Sequence, residues 1–405
     1  MKNNKYVFFI FASVFVNARA EDLLLRDVPR FLQENNVKIK IENEKVNEAK
    51  DLKTSLKNNF IPELKIFGGI KSDEQKLEFK EEHYLGIRSE LTLFDGGIRN
   101  LENNYSDKSL QMAEVNKNVT QLELESFLTL SLFEEVSINE KIGHLTTAES
   151  KQKEVLSKAK GKKSAGILSE TAVKEIEFIL LSTQQKNQEL KDKLLSLKKE
   201  RELFLGVDDN INALDDFNSA YNFLMNNSLF NKRLSLQKME TETELDLDRI
   251  ENQKERKVLK PTIKAFAEKG LTRKIDGKYL EGDHQDRLVF GLNFEIPLIE
   301  EGARNIQELY AKKTREKILE LKAQYEQTAM SKEHELNGIK KSNLNREIQR
   351  KEEKLKMYES LLKLSWNDVV RGQKEINDYS EDLDEYLNEK LELIDHKVEQ
   401  VKELF

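Results

Sequence analysis

The sequence predicts a mainly α-helical chain with a small β part, built as two internal repeats. Three observations carry that prediction. The first is composition: of 405 residues, 35% are charged and 38% hydrophobic, and only 4 are proline and 16 glycine. Breakers this sparse and charge this dense indicate long solvated helices with few loops. The second is self-similarity. Leu85–Asn100 (LGIRSELTLFDGGIRN) aligns with Phe290–Asn305 (FGLNFEIPLIEEGARN) at an offset of 205, with 6 of 16 positions identical. These are Gly86/Gly291, Glu90/Glu295, Leu93/Leu298, Gly97/Gly302, Arg99/Arg304 and Asn100/Asn305. The third is the order of breakers: Pro62 and Pro261 lie 199 apart, Gly166 and Gly372 lie 206 apart. Markers in one order at nearly one offset mean a duplicated unit.

The same composition excludes several classes. No stretch approaches 18 consecutive apolar residues, which excludes a polytopic helical membrane protein. A net charge of -7 argues against a nucleic-acid binder. Zero cysteines remove disulfides, thiolate catalysis, Cys-ligated zinc and a lipid-modified N-terminal Cys. His83, His144, His284, His334 and His396 are scattered without ligand spacing, so no metal site is expected. Gly96-Gly97 lacks the Lys-Ser/Thr of a phosphate loop. No catalytic constellation and no cofactor signature emerge, and a non-enzyme is expected.

Taken in order, the chain opens with Lys2, Lys5 and the 11-residue apolar run Tyr6–Val16, followed by Ala18-Arg19-Ala20. A short apolar run before a small-x-small site is a secretory signal peptide, residues 1–20, cleaved after Ala20. The first repeat, 21–205, reads as helix Asp22–Asn58, strands Glu63–Lys71 and His83–Phe94, long helix Gly97–Lys160 and return helix Ile167–Phe204. Residues 206–228 join the repeats. The second repeat, 229–405, reads as helix Leu229–Val258, strands Thr262–Leu271 and Arg287–Ile299, long helix Gly302–Leu364 and return helix Gln373–Phe405. Polar stretches Ser72–Glu82 and Thr272–Asp286 are expected as surface loops.

Spacings of three, four and seven support the helices: Met112, Val115, Val119 and Leu122 in one, Ile318, Leu321, Tyr325, Ile348, Leu355, Tyr358 and Leu362 in the other. The apolar seam is narrow, as in coiled coils. At 1.5 Å per residue the long helices run roughly 90–95 Å, so they must pair along their length. The strands rest on alternation. Leu288, Phe290, Leu292, Phe294 and Ile296 oppose Val289, Gly291, Asn293, Glu295 and Pro297; Leu85, Ile87, Leu91 and Leu93 oppose Gly86, Arg88, Glu90 and Thr92. Apolar-out and polar-in over ~9–11 residues is the pattern of a transmembrane barrel, with Glu90 and Glu295 suited to a wet lumen. Four strands cannot close a barrel, and open edges are intolerable in lipid, so copies must share one. The export signal and the helices then place the chain in the outer membrane, projecting into the periplasm of a Gram-negative cell.

These residues resemble the TolC-type outer-membrane efflux proteins. The carriers are Leu93-Phe94-Asp95-Gly96-Gly97-x-Arg99, its echo Pro297-Leu298-Ile299-Glu300-Glu301-Gly302-x-Arg304, the turns around Gly166 and Gly372, and Pro62 and Pro261 before strands. The resemblance covers about Glu21 to Phe405. It implies a homotrimer with a shared transmembrane β-barrel, four strands per protomer, and a long-helix periplasmic α-barrel. It also implies a non-enzymatic duct, with an inner-membrane pump and a periplasmic adaptor (membrane fusion) protein docking on the helical turns. The equatorial belt of such proteins would rest here on 206–228. A periplasmic coiled-coil adaptor or envelope scaffold is the alternative, sharing the signal and the helical hairpins.

The resemblance also assigns sites. Gly96, Gly97 and Gly302 would be strand-to-helix hinges; Gly166, Gly372, Lys162 and Arg371 would belong to the adaptor-docking turns. Asp378 and Glu381, six and nine residues past Gly372, would form acidic rings at the pore entrance, with Lys374 a gate-associated basic residue. The usual partner of that basic residue is an Asp at the position held here by Ala172. Trp366 is expected as a helix-packing knob near the second turn, and Lys158, Lys160, Lys162 and Lys163 as a solvated run near the first.

Overall fold

The computed structural model describes residues 21–57, 61–75, 78–206, 211–226, 241–242, 245–246, 261–276, 284–295 and 302–405. The signal-peptide reading of 1–20 lies outside the described residues, as do 207–210 and 227–228 of the joining segment and most of the expected helix Leu229–Val258. The described residues of that helix, Thr241, Glu242, Leu245 and Asp246, are helical. The elements are β1 (Glu21–Leu23), α1 (Val28–Asn35), α2 (Val37–Lys57), β2 (Glu63–Gln75), β3 (Glu78–Phe94), α3 (Ile98–Ser164) and α4 (Glu170–Leu205). They continue with β4 (Ile211–Ala213), α5 (Phe217–Asn226), β5 (Thr262–Asp276), β6 (His284–Glu295), α6 (Gly302–Arg371) and α7 (Ile376–Lys402). None of the described helices is long and apolar enough to cross a membrane.

The chain divides into two compact units, and α3 and α6 each contribute to both. In one unit (38–120 and 232–332) the four expected strands form one antiparallel sheet, ordered β2-β3-β5-β6. The strands outrun the sequence expectation. Residues 72–75 and 78–82 pair in the β2–β3 ladder, and 272–276 and 284–286 are strand, so the two expected surface loops are mostly ladder. The physical reason is that ladders pair backbone N–H and C=O groups, which polar residues supply as well as apolar ones.

In the other unit (21–37, 121–231 and 333–405) the returning helices pack against the ends of the long ones. Val155 and Ala159 of α3, Val173 and Ile176 of α4, Val369 of α6, and Ile376, Tyr379 and Leu383 of α7 form one buried cluster. Leu145, Ala148 and Leu387 form a second. The spacing of the α7 members, i, i+3 and i+7 over about two turns, is the narrow seam that the periodicity predicts. Both helical turns close as Schellman motifs. Gly166 (φ 71°) and Gly372 (φ 75°) take the left-handed position, with Ile167 N–H donating to the Lys162 carbonyl and Gln373 N–H to that of Asp368.

One expectation is corrected here. The single helix Asp22–Asn58 is instead strand β1, a short 3-10 turn, α1 and α2, interrupted at Asn36, whose backbone is extended (ψ 126°). The joining segment carries β4 and α5. Its Ile211–Ala213 pairs in parallel with Glu21–Leu23, and Leu25 N–H donates to Asp215 Oδ2 (2.9 Å). Arg201, fully buried, ties this joint to the helices. It donates to Glu135 Oε2 (2.8 Å) and to the Ile211 carbonyl (2.7 Å). Lys198 adds bonds to Asn212 Oδ1 (2.7 Å) and Glu135 (3.3 Å).

Candidate functional site

The sheet is two-faced. On one face Leu64, Ile66, Ile70, Leu85, Ile87, Leu288, Phe290, Leu292 and Phe294 are all at least half exposed, up to 77% at Ile66. The opposite face carries a lattice of charge. Lys65 pairs with Glu63 (2.9 Å) and Glu90 (3.3 Å), Arg88 with Glu90 (2.7 Å) and Glu268 (3.9 Å), and Lys264 reaches Glu295 at 4.0 Å. Glu90 and Glu295, the lumen candidates, thus lie on the charged face.

That face also holds two equivalent aromatic–glycine contacts absent from the sequence expectation. Phe67 lies opposite Gly86, and Phe266 opposite Gly291. A Cβ on Gly86 would meet Phe67 Cζ at 2.6 Å, and one on Gly291 would meet Phe266 Cζ at 2.6 Å. Each ring covers the backbone bared by a glycine on the neighbouring strand. Arg88 stacks over the Phe266 ring at 4.4 Å. The signal was present in the sequence: Phe67 and Phe266 are 199 apart, the interval of Pro62 and Pro261.

Where β3 meets α3, Gly96 (φ 68°) and Gly97 (φ 88°) both occupy the left-handed region, the conformation a hinge glycine supplies. Asp95 caps the helix, its carboxylate accepting from Gly97 N–H (3.1 Å) and Arg99 N–H (3.0 Å). Arg99 reaches back to the Thr92 carbonyl (2.9 Å). Every polar residue of the Asp95-Gly-Gly-x-Arg99 motif therefore serves the strand-to-helix turn. Gly302 opens α6, while residues 296–301 before it lie outside the described residues.

At the helical turns, Asp378 and Glu381 are exposed on the same side of α7, turned away from buried Ile376, Tyr379 and Leu383. Neither has a hydrogen-bond or ion-pair partner among the described residues. Lys374 is bound within its own hairpin, to Asp382, which also accepts from Ser365 of α6 (2.8 Å). Ala172 is buried in the first turn of α4, its N–H donating to the capping Ser169 hydroxyl (3.1 Å). Between hairpins near the turns, Asn377 donates to Glu175 (2.6 Å), and Lys158 lies 4.1 Å over the Trp366 ring. Trp366 packs against Tyr379, ring centroids 4.8 Å apart, as a packing knob should. Arg371 is exposed beside Gly372, and Lys162 lends its carbonyl to the first turn. Lys158, Lys160 and Lys163 pair with Glu154, Glu177 and Glu170. Among the described residues there is no cluster able to hold a metal ion.

A sheet apolar on one face and charged on the other, joined through a capped glycine turn to long paired helices, defines the TolC-type fold. Solved structures bear this out. CusC, a transmembrane channel, is similar at a TM-score of 0.74 and 15% identity over 97% of this chain and 94% of its own. The CmeC outer membrane channel of Campylobacter jejuni is similar at 0.72 and 14%, covering 94% and 83%. The MtrE outer membrane channel of Neisseria gonorrhoeae is similar at 0.68 and 10%, covering 94% and 87%. No protein-family model and no curated protein matches the sequence. The chain therefore has the TolC-type fold.

Proposed function

We propose that this chain is the outer-membrane duct of a tripartite export system, passing substrates from an inner-membrane pump through the periplasm to the exterior. The observation that carries the reading is the two-faced sheet with β2 and β6 as open edges. An apolar face this exposed suits lipid, its charged reverse suits a water-filled lumen, and edges open in lipid require closure by further copies. Three copies give the twelve strands that the resemblance implies. The long helices then extend into the periplasm, and the turns at Gly166 and Gly372, with Lys162 and Arg371, are the docking end for the adaptor. Asp378 and Glu381, exposed and unpaired among the described residues, supply acidic rings at the entrance, and Lys374, the gate-associated basic residue, is held within its own hairpin.

The test is planar-bilayer conductance of protein purified from outer membranes in mild detergent, with mass by light scattering. A trimer that prefers cations, and that loses this preference in Asp378→Ala/Glu381→Ala, is expected. A stable monomer without conductance overturns the duct. A double variant with unchanged selectivity removes the ring assignment alone.

A further inference from the structure

The two repeats are equivalent strand by strand, and this makes the joint between copies calculable. β2 maps onto β5 with 199 added, and β3 onto β6 with 205 added. The ladder pair Glu63↔Glu90 becomes Thr262↔Glu295, and Phe67↔Gly86 becomes Phe266↔Gly291; both mapped pairs are observed. The aromatic–glycine contact repeats to the same 2.6 Å. The hairpin register is therefore duplicated without a slip.

β3 and β5 are where the hairpin of one repeat meets the hairpin of the next. In a barrel shared between copies, β6 of one copy meets β2 of its neighbour, and that joint is the same hairpin-to-hairpin meeting. Strand stagger and tilt are linked in a closed barrel, so joints of equal stagger keep all strands at one tilt. We propose that copies of this chain pair β6 with β2 in the register that the β3–β5 ladder carries. Mapping Ile87↔Lys269 gives Leu292 opposite Ile70 of the neighbouring copy. Mapping Glu90↔Phe266 gives Glu295 opposite Phe67 of the neighbouring copy.

The face pattern independently restricts the choice. Leu292 and Ile70 are both on the exposed apolar face, and Glu295 and Phe67 are both on the charged one. A slip of one residue would turn one strand's apolar set into the lumen, so only slips of two compete. At this register the carboxylate of Glu295 lies beside an aromatic ring of the next copy, as Glu90 lies beside Phe266 within the chain.

This inference rests on the shared-barrel reading, and cysteine cross-linking separates the two. The chain has no cysteine, so introduced pairs are the only thiols. Ile70→Cys is combined in turn with Phe290→Cys, Leu292→Cys or Phe294→Cys, all exposed positions on one face. Outer membranes are oxidised, and products are read on non-reducing gels. Directly opposed residues lie within disulfide reach, while positions two apart sit ~7–8 Å away. Within one chain β2 and β6 are separated by β3 and β5, roughly 14 Å at strand spacing, too far for a disulfide. Ile87→Cys/Lys269→Cys, the equivalent pair inside the chain, is the control and should lose both thiols to labelling. Cross-linked dimers and trimers at Ile70→Cys/Leu292→Cys, at least about fivefold above the other two pairs, are expected. Strongest cross-linking at Phe290→Cys or Phe294→Cys overturns the register and leaves the duct standing. So does a lack of cross-links at all three pairs in a protein of trimeric mass. No cross-links together with a monomeric mass overturn both.

Discussion

Arg201 sits in the stretch Lys198-Lys199-Glu200-Arg201-Glu202, which reads as a solvated charge run, yet it is completely buried. Its guanidinium is shared between Glu135, 3% exposed, and the carbonyl of Ile211, itself 4% exposed. Arg201→Ala therefore leaves the buried carboxylate of Glu135 with Lys198 at 3.3 Å as its ion-pair partner among the described residues, and takes one hydrogen bond from the Ile211 carbonyl. Breaking one side of a buried pair costs about 3–5 kcal/mol. The loss falls on the β1–β4 joint, since Ile211 is its first paired residue. Hydrogen exchange by mass spectrometry reads it directly. Protection of peptides covering 21–25 and 211–215 should fall by about a hundredfold to a few thousandfold, at 1.4 kcal/mol per tenfold. Arg201→Met/Glu135→Leu removes both charges of the buried pair, so it should recover most of that protection. If the double variant is no more protected than Arg201→Ala, the buried charge is not what holds the joint.

Two further outcomes follow from the same geometry. A Cβ at Gly86 meets both the Phe67 ring (2.6 Å) and the backbone carbonyl of Lys269 (2.9 Å), whereas at Gly291 it meets only the Phe266 ring. Gly86→Ala should therefore cost about 1–3 kcal/mol and Gly291→Ala less, with Phe266→Leu restoring the second but Phe67→Leu not fully restoring the first. Urea unfolding in detergent checks this, and equal costs would refute it. His144 has its pKa lowered, chiefly by burial and then by the charge of Lys390, against the opposing pull of Glu140 (3.1 Å). A depressed histidine contributes stability that is present above its unfolded pKa of about 6.5 and is lost as pH falls through its folded value. Acidification from about pH 7.5 to 5.5 should lower the unfolding midpoint, and His144→Gln should flatten that dependence. A variant as pH-sensitive as the parent would assign the effect elsewhere.

The repeat, the four strands, the two long helices and their return helices were legible in the sequence because each rests on a period sustained over many residues. The helical turns were legible because only glycine occupies the left-handed position cheaply, so Gly166 and Gly372 stand out against helical patterns. The β1–β4 joint was not legible, since three-residue strands contain no period. The burial of Arg201 was hidden because composition alone does not reveal which side of a charged helix faces a neighbour. Strand ends beyond Lys71 and before His83 were missed because backbone pairing, not side-chain apolarity, extends a ladder. The partner of Lys374 was hidden for another reason. With Ala at 172, the lysine binds Asp382 eight residues along its own chain, a carboxylate that Ser365 of α6 also reaches.

The charges of the molecule sort by whether their counter-charge is adjacent. On the sheet, Glu63, Glu90 and Glu268 sit within 4 Å of Lys65 or Arg88, so each acts at a distance as part of a small dipole. On α7, Asp382 is taken up by Lys374, while Asp378 and Glu381 keep their full charge among the described residues. At physiological salt the screening length is about 8 Å, and a paired charge falls off faster still than a lone one. In the proposed duct an ion passing the sheet face would therefore meet a nearly neutral wall, and one passing the start of α7 would meet uncompensated acid. This is why the ion preference of the proposed duct is assigned to Asp378 and Glu381, and not to Glu90, although all three are carboxylates of the kind the sequence marks as lining a pore.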